Sequence, residues 1–213
     1  MKGIAVVIPA YNEVSHVVAV AEEAARYAEF VVVVDDGSYD GTWNGIKGMR
    51  APLYPLRHRI NMGKGAALKT GCSAAVRLGA EIIVTMDADG QHPPEYIPRL
   101  VSYMREKKLD FVFTERAGGD TMPFVRRMGN YMVNRTASHL FNLRTRDAWC
   151  GFRAFRASCL PQIMWRARDY SGEVQMALAV GQSGMPYGAY PIPTIYDTGA
   201  TKGVHILHGI KLL

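Results

Sequence analysis

An α/β fold built on a mostly parallel, Rossmann-like sheet flanked by helices is predicted by three observations. First, short continuous runs of β-branched residues, FVVVV at 30–34 among them, read as strands buried on both faces. Second, these runs alternate with Ala-rich or amphipathic segments at the spacing of right-handed βαβ units. Third, the acidic clusters Tyr11-Asn12-Glu13, Asp35-Asp36 and Asp87-Ala88-Asp89 fall where strands end. In a parallel sheet the carboxyl ends of the strands share one edge, which is where ligands bind in open α/β sheets.

In chain order, 3–9 is an apolar β-rich run, and 12–28 is a helical segment with Asn12 placed to cap it. The second strand, 30–34, stops at Asp-Asp-Gly-Ser, followed by a short helix to Lys47 and a weak third strand over 53–56. Asn-Met-Gly-Lys-Gly at 61–65 opens an Ala-rich helix ending near Leu78-Gly79. The fourth strand enters the stretch EIIVTMDADGQHPP at 81–94, a helix covers 95–107, and a fifth strand covers 110–114. The second half changes character. Residues 123–143 read as a helix with Phe124, Met128 and Met132 on one stripe, 144–147 as a charged turn, and 149–155 as a half-buried strand from its alternation. A helix over 173–180 and a Pro-bounded edge strand over 185–193 close the assignable chain.

Composition removes several classes. The 213 residues are 48% hydrophobic and 21% charged, which excludes disorder. A net charge of +6 calls for an anionic partner such as nucleotide phosphates, nucleic acid or an anionic membrane surface. The basic residues are not interleaved with aromatics in an RNA-binding pattern, so no nucleic-acid partner is expected. Three cysteines without CxxC spacing suit a reducing compartment and argue against zinc or a disulfide framework. The first strand lacks a GxGxxG, which argues against a dinucleotide cofactor. No stretch approaches the roughly 18 apolar residues of a membrane span, and the opening run is too short for a signal peptide. His58, His92 and His139 lack metal-ligand spacing and read as structural.

Asp87 and Asp89 are separated only by Ala88, so in a tight turn after a strand their carboxylates can converge on one divalent cation, with the Gln91 amide oxygen as a third hard ligand. Oxygen-only ligation suits Mg²⁺ or Mn²⁺, which keep positions open for water and for a substrate's phosphates. Taken alone, such a turn also suits a solvated surface. Convergence of three acidic clusters on one crevice favours the metal reading.

VVIPAYNE (6–13), VVDDGSYDGT (33–42), GKGAALKTG (63–71), MDADGQHPPEYIPRL (86–100), TERAGG (114–119) and CGFRAF (150–155) occur in that order over most of the chain. Together they resemble the family-2 glycosyltransferases of GT-A fold, and more narrowly the branch of dolichol-phosphate mannosyltransferase and related polyprenyl-phosphate glycosyltransferases. The resemblance implies one domain over 1–213, with a nucleotide-sugar-binding half at 1–115 and a C-terminal acceptor-side extension at 116–213. It implies that Pro9, Tyr11, Glu13 and the Asp35-Asp36 pair, Asp36 above all, hold the nucleoside. The turn Asp87-Ala88-Asp89 with Gln91 binds metal and diphosphate, Arg116 and either Arg126 or Arg127 lie near phosphates, and Lys202 belongs to a tail element closing over the donor. Asp89, Arg116 and Glu173 are the catalytic candidates, Glu173 as a base if the acceptor is a hydroxyl.

The implied reaction is inverting, metal-dependent transfer of a hexose, mannose or glucose, from a GDP- or UDP-sugar to a polyprenyl phosphate on the cytoplasmic membrane face, through peripheral contact and with room for a separate membrane subunit. A polyprenyl phosphate is already an anion, so no strong base is needed, and Arg126, Arg127, Arg144 and Arg146 are placed to hold it. A glycan hydroxyl acceptor and a noncatalytic nucleotide-binding subunit stand as alternatives. Two departures from the family pattern are visible: Tyr196 stands where many relatives carry arginine, and many relatives continue into membrane helices where this sequence ends in HILHGIKLL, which suits a membrane-surface segment, an ordinary final helix or a truncation point equally.

Overall fold

The computed structural model describes residues 2–116, 143, 145, 147–169, 171–193 and 195. All of the expected helix over 123–143 except Leu143, together with His139, Arg126, Arg127, Arg144, Arg146, Tyr196, Lys202 and the ending HILHGIKLL, lies outside the described residues.

Seven strands form one sheet: β1 (Ile4–Ala10), β2 (Phe30–Asp35), β3 (Leu53–Arg57), β4 (Ile82–Thr85), β5 (Phe111–Arg116), β6 (Arg153–Arg156) and β7 (Tyr187–Ile192). Their order is β3-β2-β1-β4-β6-β5-β7. All pairings are parallel except those of β6, which runs antiparallel to β4 and β5. The helices are α1 (Val17–Ala25), α2 (Thr42–Ile46), α3 (Lys64–Arg77), α4 (Ile97–Glu106), α5 (Leu160–Ile163) and α6 (Ser171–Ser183).

The β-branched runs become interior strands because both sheet faces are covered. On β1, Ile4, Val6 and Ile8 enter a core shared with Val17, Val20, Ala21 and Ala24 of α1 and with Ile97, Leu100, Val101 and Met104 of α4. Ala5 and Val7 enter a second core with Ala67, Leu68, Cys72 and Ala75 of α3 and with Met176, Ala177 and Val180 of α6. This period-2 division makes a three-layer sandwich. Each fully buried valine or isoleucine contributes about 1.5–3 kcal/mol relative to exposure.

Three elements differ from the sequence reading. Helix α1 begins at Val17 rather than at residue 12, because Asn12 takes a left-handed backbone (φ 56°) and its amide oxygen accepts the Tyr39 N–H. The stretch 149–155 yields only β6, and Arg153, Ala154 and Phe155 are buried rather than alternately exposed, since both faces of the sheet are covered there, Ala154 lying in one core and Phe155 in the other. Helix α6 is longer than 173–180, with Gly172 inside its first turn, where a β-carbon would lie 2.7 Å from Trp165 Cδ1.

Successive connections from β1 lead to β2 and β3 on one side, and the chain then crosses to β4 on the other. The crevice between the carboxyl ends of β1 and β4 is therefore the topological switch point of the sheet. Asp87 and Asp89 lie there, two and four residues beyond the end of β4.

Candidate active site

The turn after β4 is shaped by its own side chains. Asp89 Oδ1 accepts the Gln91 N–H at 3.0 Å, an Asx-type turn that leaves Oδ2 outside the turn. The Asp87 N–H donates to His92 Nδ1 at 3.0 Å, and the His92 ring stacks on Phe152 with 5.3 Å between centroids. Ala88 is buried in the core, so only its flanking aspartates reach the crevice.

Across the crevice, Lys64 bridges two carboxylates, with Nζ 2.7 Å from Asp87 Oδ1 and 3.0 Å from Glu173 Oε1. Lys64 opens α3 and Glu173 lies in the first turn of α6. A lysine in a first helical turn opposes the helix dipole, and here two carboxylates offset that cost. The ends of α3 and α6 meet because the 165–169 segment is clamped onto the start of α3. Trp165 Nε1 donates to Gly65 O at 2.9 Å, Ala66 N donates to Arg168 O at 3.1 Å, and a β-carbon at Gly63 (φ +94°) would sit 2.3 Å from Arg168 O.

Gly151 forms the floor of this cradle. Thr85, the last residue of β4, donates through its hydroxyl to Gly151 O at 2.7 Å. A β-carbon at Gly151 would lie 2.7 Å from Glu173 Oε1 and 2.9 Å from Asp87 Oδ1. Arg153 fixes the surrounding backbone. Its buried guanidinium donates to the carbonyls of Cys150 (2.9 Å), Glu173 (2.8 Å) and Ala148 (2.6 Å).

Burial by itself would raise the Asp87 carboxyl, but the Lys64 ammonium overrides it and holds the group at about 2. Burial opposes charge on Lys64, yet Asp87 and then Glu173 push its pKa above the ordinary lysine value. Both groups are charged at neutral pH. Arg116, the last residue of β5, forms a two-point ion pair with Asp147, Nε to Oδ2 at 2.7 Å and Nη2 to Oδ1 at 3.1 Å. That pairing raises its pKa further and fixes the fork at the crevice margin.

The nucleoside candidates divide by exposure. Tyr11 is exposed at the crevice mouth and packs edge-on against Tyr39 at 6.2 Å, and Glu13 is half-buried beside it. Pro9 is buried within β1. Asp35 and Asp36 stand on the expected edge, and both carboxylates have partners within the chain. Asp35 Oδ1 accepts the Ser38 N–H and Oδ2 lies 3.0 Å from Arg57 Nε. Asp36 accepts the amides of Met62 and Gly63 and contacts His58 Nδ1 at 2.7 Å, anchoring the loop that leads to Lys64. Lys64, His92, Gly151 and Arg153 were not assigned to the site by residue-level reading. The only local signals were the glycines flanking Lys64 and the GFR run after Cys150.

The pattern of glycosyl transferase family 2 matches residues 5–163. The chain belongs to glycosyl transferase family 2. The UDP-N-acetylglucosamine–dolichyl-phosphate N-acetylglucosaminyltransferase of Methanococcus voltae is 28% identical over 99% of this chain and 93% of its own. The undecaprenyl-phosphate mannosyltransferase of Micrococcus luteus is 30% identical over 87% of this chain and 81% of its own. In fold, the chain is similar to glucosyl-3-phosphoglycerate synthase from Mycobacterium tuberculosis, solved with Mn²⁺, UDP and phosphoglyceric acid. The TM-score is 0.74 at 18% identity, over 98% of this chain and 74% of that one. The glycosyltransferase thus has the GT-A architecture expected from its sequence.

The residues of this glycosyltransferase fit a hard divalent cation. Asp87 and Asp89 offer hard carboxylate oxygens from one turn, and Asp87 already faces a cation, the Lys64 ammonium 2.7 Å from Oδ1. Among the described residues no group of three His, Cys, Asp or Glu side chains is gathered tightly enough to hold an ion unaided.

Proposed function

We propose that this glycosyltransferase moves a hexose, mannose or glucose, from a GDP- or UDP-sugar to a polyprenyl phosphate at a membrane surface, with inversion and with Mg²⁺ or Mn²⁺. The observation that carries the reading is the Asp87–Asp89 turn at the switch point, facing Lys64 and Glu173 across Gly151. Two relatives, from Methanococcus voltae and Micrococcus luteus, are named for dolichyl- and undecaprenyl-phosphate acceptors, which supports the acceptor class.

Asp87 and Asp89, with the Gln91 side-chain oxygen, are the groups that would hold the ion. The bound ion supplies charge neutralisation to the departing diphosphate. Lys64 keeps a second positive charge in the same cradle, and Arg116, fixed by Asp147, offers another at the margin. Preorganised positive charge of this kind acts where negative charge develops as the glycosidic C–O bond breaks. Tyr11 and Glu13 border the nucleoside end, and Arg126, Arg127 and Lys202 remain proposed phosphate and lid residues. An acceptor phosphate attacks as an anion. Glu173 is tied to Lys64 at 3.0 Å, which suits a charge-balancing role better than proton abstraction.

Calorimetric titration with UDP and GDP, with Mn²⁺ and with EDTA, tests the donor site. Binding of one nucleotide that is lost in EDTA is the expected result, and absence of binding by both overturns the reading. Turnover by Glu173→Gln, with polyprenyl phosphate and a glycan each offered as acceptor, then separates the acceptor classes. Retention of activity within about tenfold is expected, whereas loss of a general base costs about 10²–10⁴-fold and would favour a glycan hydroxyl.

A further inference from the structure

His92 sits directly behind the Asp87–Asp89 turn, 5% exposed, and its hydrogen bonds have a fixed direction. The Asp87 N–H, 3.0 Å from Nδ1, can only donate, so Nδ1 carries no proton. A proton on Nδ1 would have to point at the Asp87 amide hydrogen. His92 therefore carries its proton on Nε2, which faces Cys150 Sγ at 3.7 Å.

The far end is fixed independently. Thr114 Oγ1 lies 2.6 Å from the Phe152 carbonyl, which can only accept, so the single hydroxyl proton is committed there. Thr114 Oγ1 is also 3.1 Å from Cys150 Sγ, and with its own proton committed it accepts the thiol hydrogen. Each donor is then used once, from the Asp87 N–H through His92, Cys150 and Thr114 to the Phe152 carbonyl. Cys150 is 1% exposed, and Thr114 and Phe152 are fully buried.

We propose that this chain is a proton-ordered strut that sets the Asp87–Asp89 turn for the cation and diphosphate, with His92, Cys150 and Thr114 as positioning residues. It ties three separate segments, the turn after β4, strand β5 and the entry to β6, into one buried network. Such a network fails as a unit when one link is removed, because the remaining buried polar groups lose their partners. The proposal rests on the donor-site reading above.

Cysteine is suited to the test because serine preserves both roles in the chain, acceptor and donor, whereas alanine preserves neither. Cys150→Ala is expected to weaken Mn²⁺-dependent UDP or GDP binding about tenfold, the size of a lost buried hydrogen bond, and to raise the donor KM without changing the acceptor KM. Cys150→Ser is expected to recover most of the affinity. Equal affinities in wild type, Cys150→Ala and Cys150→Ser would overturn the strut, as would loss of folding stability in Cys150→Ala with unchanged nucleotide affinity. NMR of the wild-type imidazole provides a readout independent of nucleotide binding. The Nε2–H tautomer supports the chain, and an Nδ1–H tautomer overturns it. If wild type binds neither nucleotide, the donor-site reading falls and the tautomer alone decides the proton order.

Discussion

Asp87 concentrates the chemistry of the site because it is held by groups from three elements at once. Its carboxylate faces Lys64 and its amide faces His92, while Gly151 leaves room for both. The consequence for pH follows from the direction of its shift. With a folded pKa of about 2 against an ordinary 3.8, Asp87 stabilises the fold above about pH 4, and this contribution is lost as pH falls through about 2. Lys64 is shifted the other way, so its contribution is complete below pH 10.5 and is lost only at higher pH. In EDTA, urea unfolding of wild type is therefore expected to show stability falling between about pH 4 and 2 more steeply than Asp87→Asn does. Parallel pH profiles for the two proteins would remove the ion pair from the account of stability.

Helix α3 positions Lys64 by fitting closely against the sheet. Gly71 is the contact point, since a β-carbon there would lie 2.4 Å from Val7 Cγ1 on β1 and 3.1 Å from Val34 Cγ2 on β2. Alanine is the better helix former by up to about 1 kcal/mol, but overpacking costs about 1–3 kcal/mol. Overpacking outweighs helix propensity, so Gly71→Ala is expected to lower the Tm. A raised Tm would show that α3 moves outward freely, against the tight docking of Lys64. Tertiary partners outweigh the local pattern at two elements. Asn12 resembles a helix cap by composition, yet its amide oxygen serves Tyr39 across 27 residues. The alternation at 149–155 suggests a half-exposed strand, yet both faces of the sheet are covered at β6, and Arg153 remains buried through three carbonyl contacts.

For the whole molecule, the relevant quantities are net charge and layering. The chain carries a net +6, and among the described residues no helix is long and apolar enough to cross a membrane. Under the proposed lipid acceptor, electrostatic attraction to anionic lipid supplies part of the encounter and is screened within a Debye length of about 8 Å at physiological salt. Flotation with anionic liposomes is expected at low salt, decreasing as salt rises, with little on neutral liposomes. Absence of flotation at low salt would count against a membrane-bound acceptor.

Much of the fold was legible in the sequence because its signals are local. Runs of β-branched residues mark strands buried on both faces, helical segments between them impose parallel pairing, and acidic turns mark the strand ends. On those grounds the sequence by itself determined an α/β sheet with Asp87 and Asp89 at its binding edge. Ordered motifs then determined the glycosyltransferase family. Only the tertiary structure decided how the candidate site is held. Lys64, Glu173, Gly151, His92 and Cys150 are scattered over more than 100 residues of chain, and the motifs that hold four of them do not say which groups they contact. Their roles arise from which helix ends meet, which backbone is close enough to exclude a β-carbon, and which buried donors must find acceptors. Those distances depend on packing the two layers of helices against one sheet, and sequence spacing does not encode them.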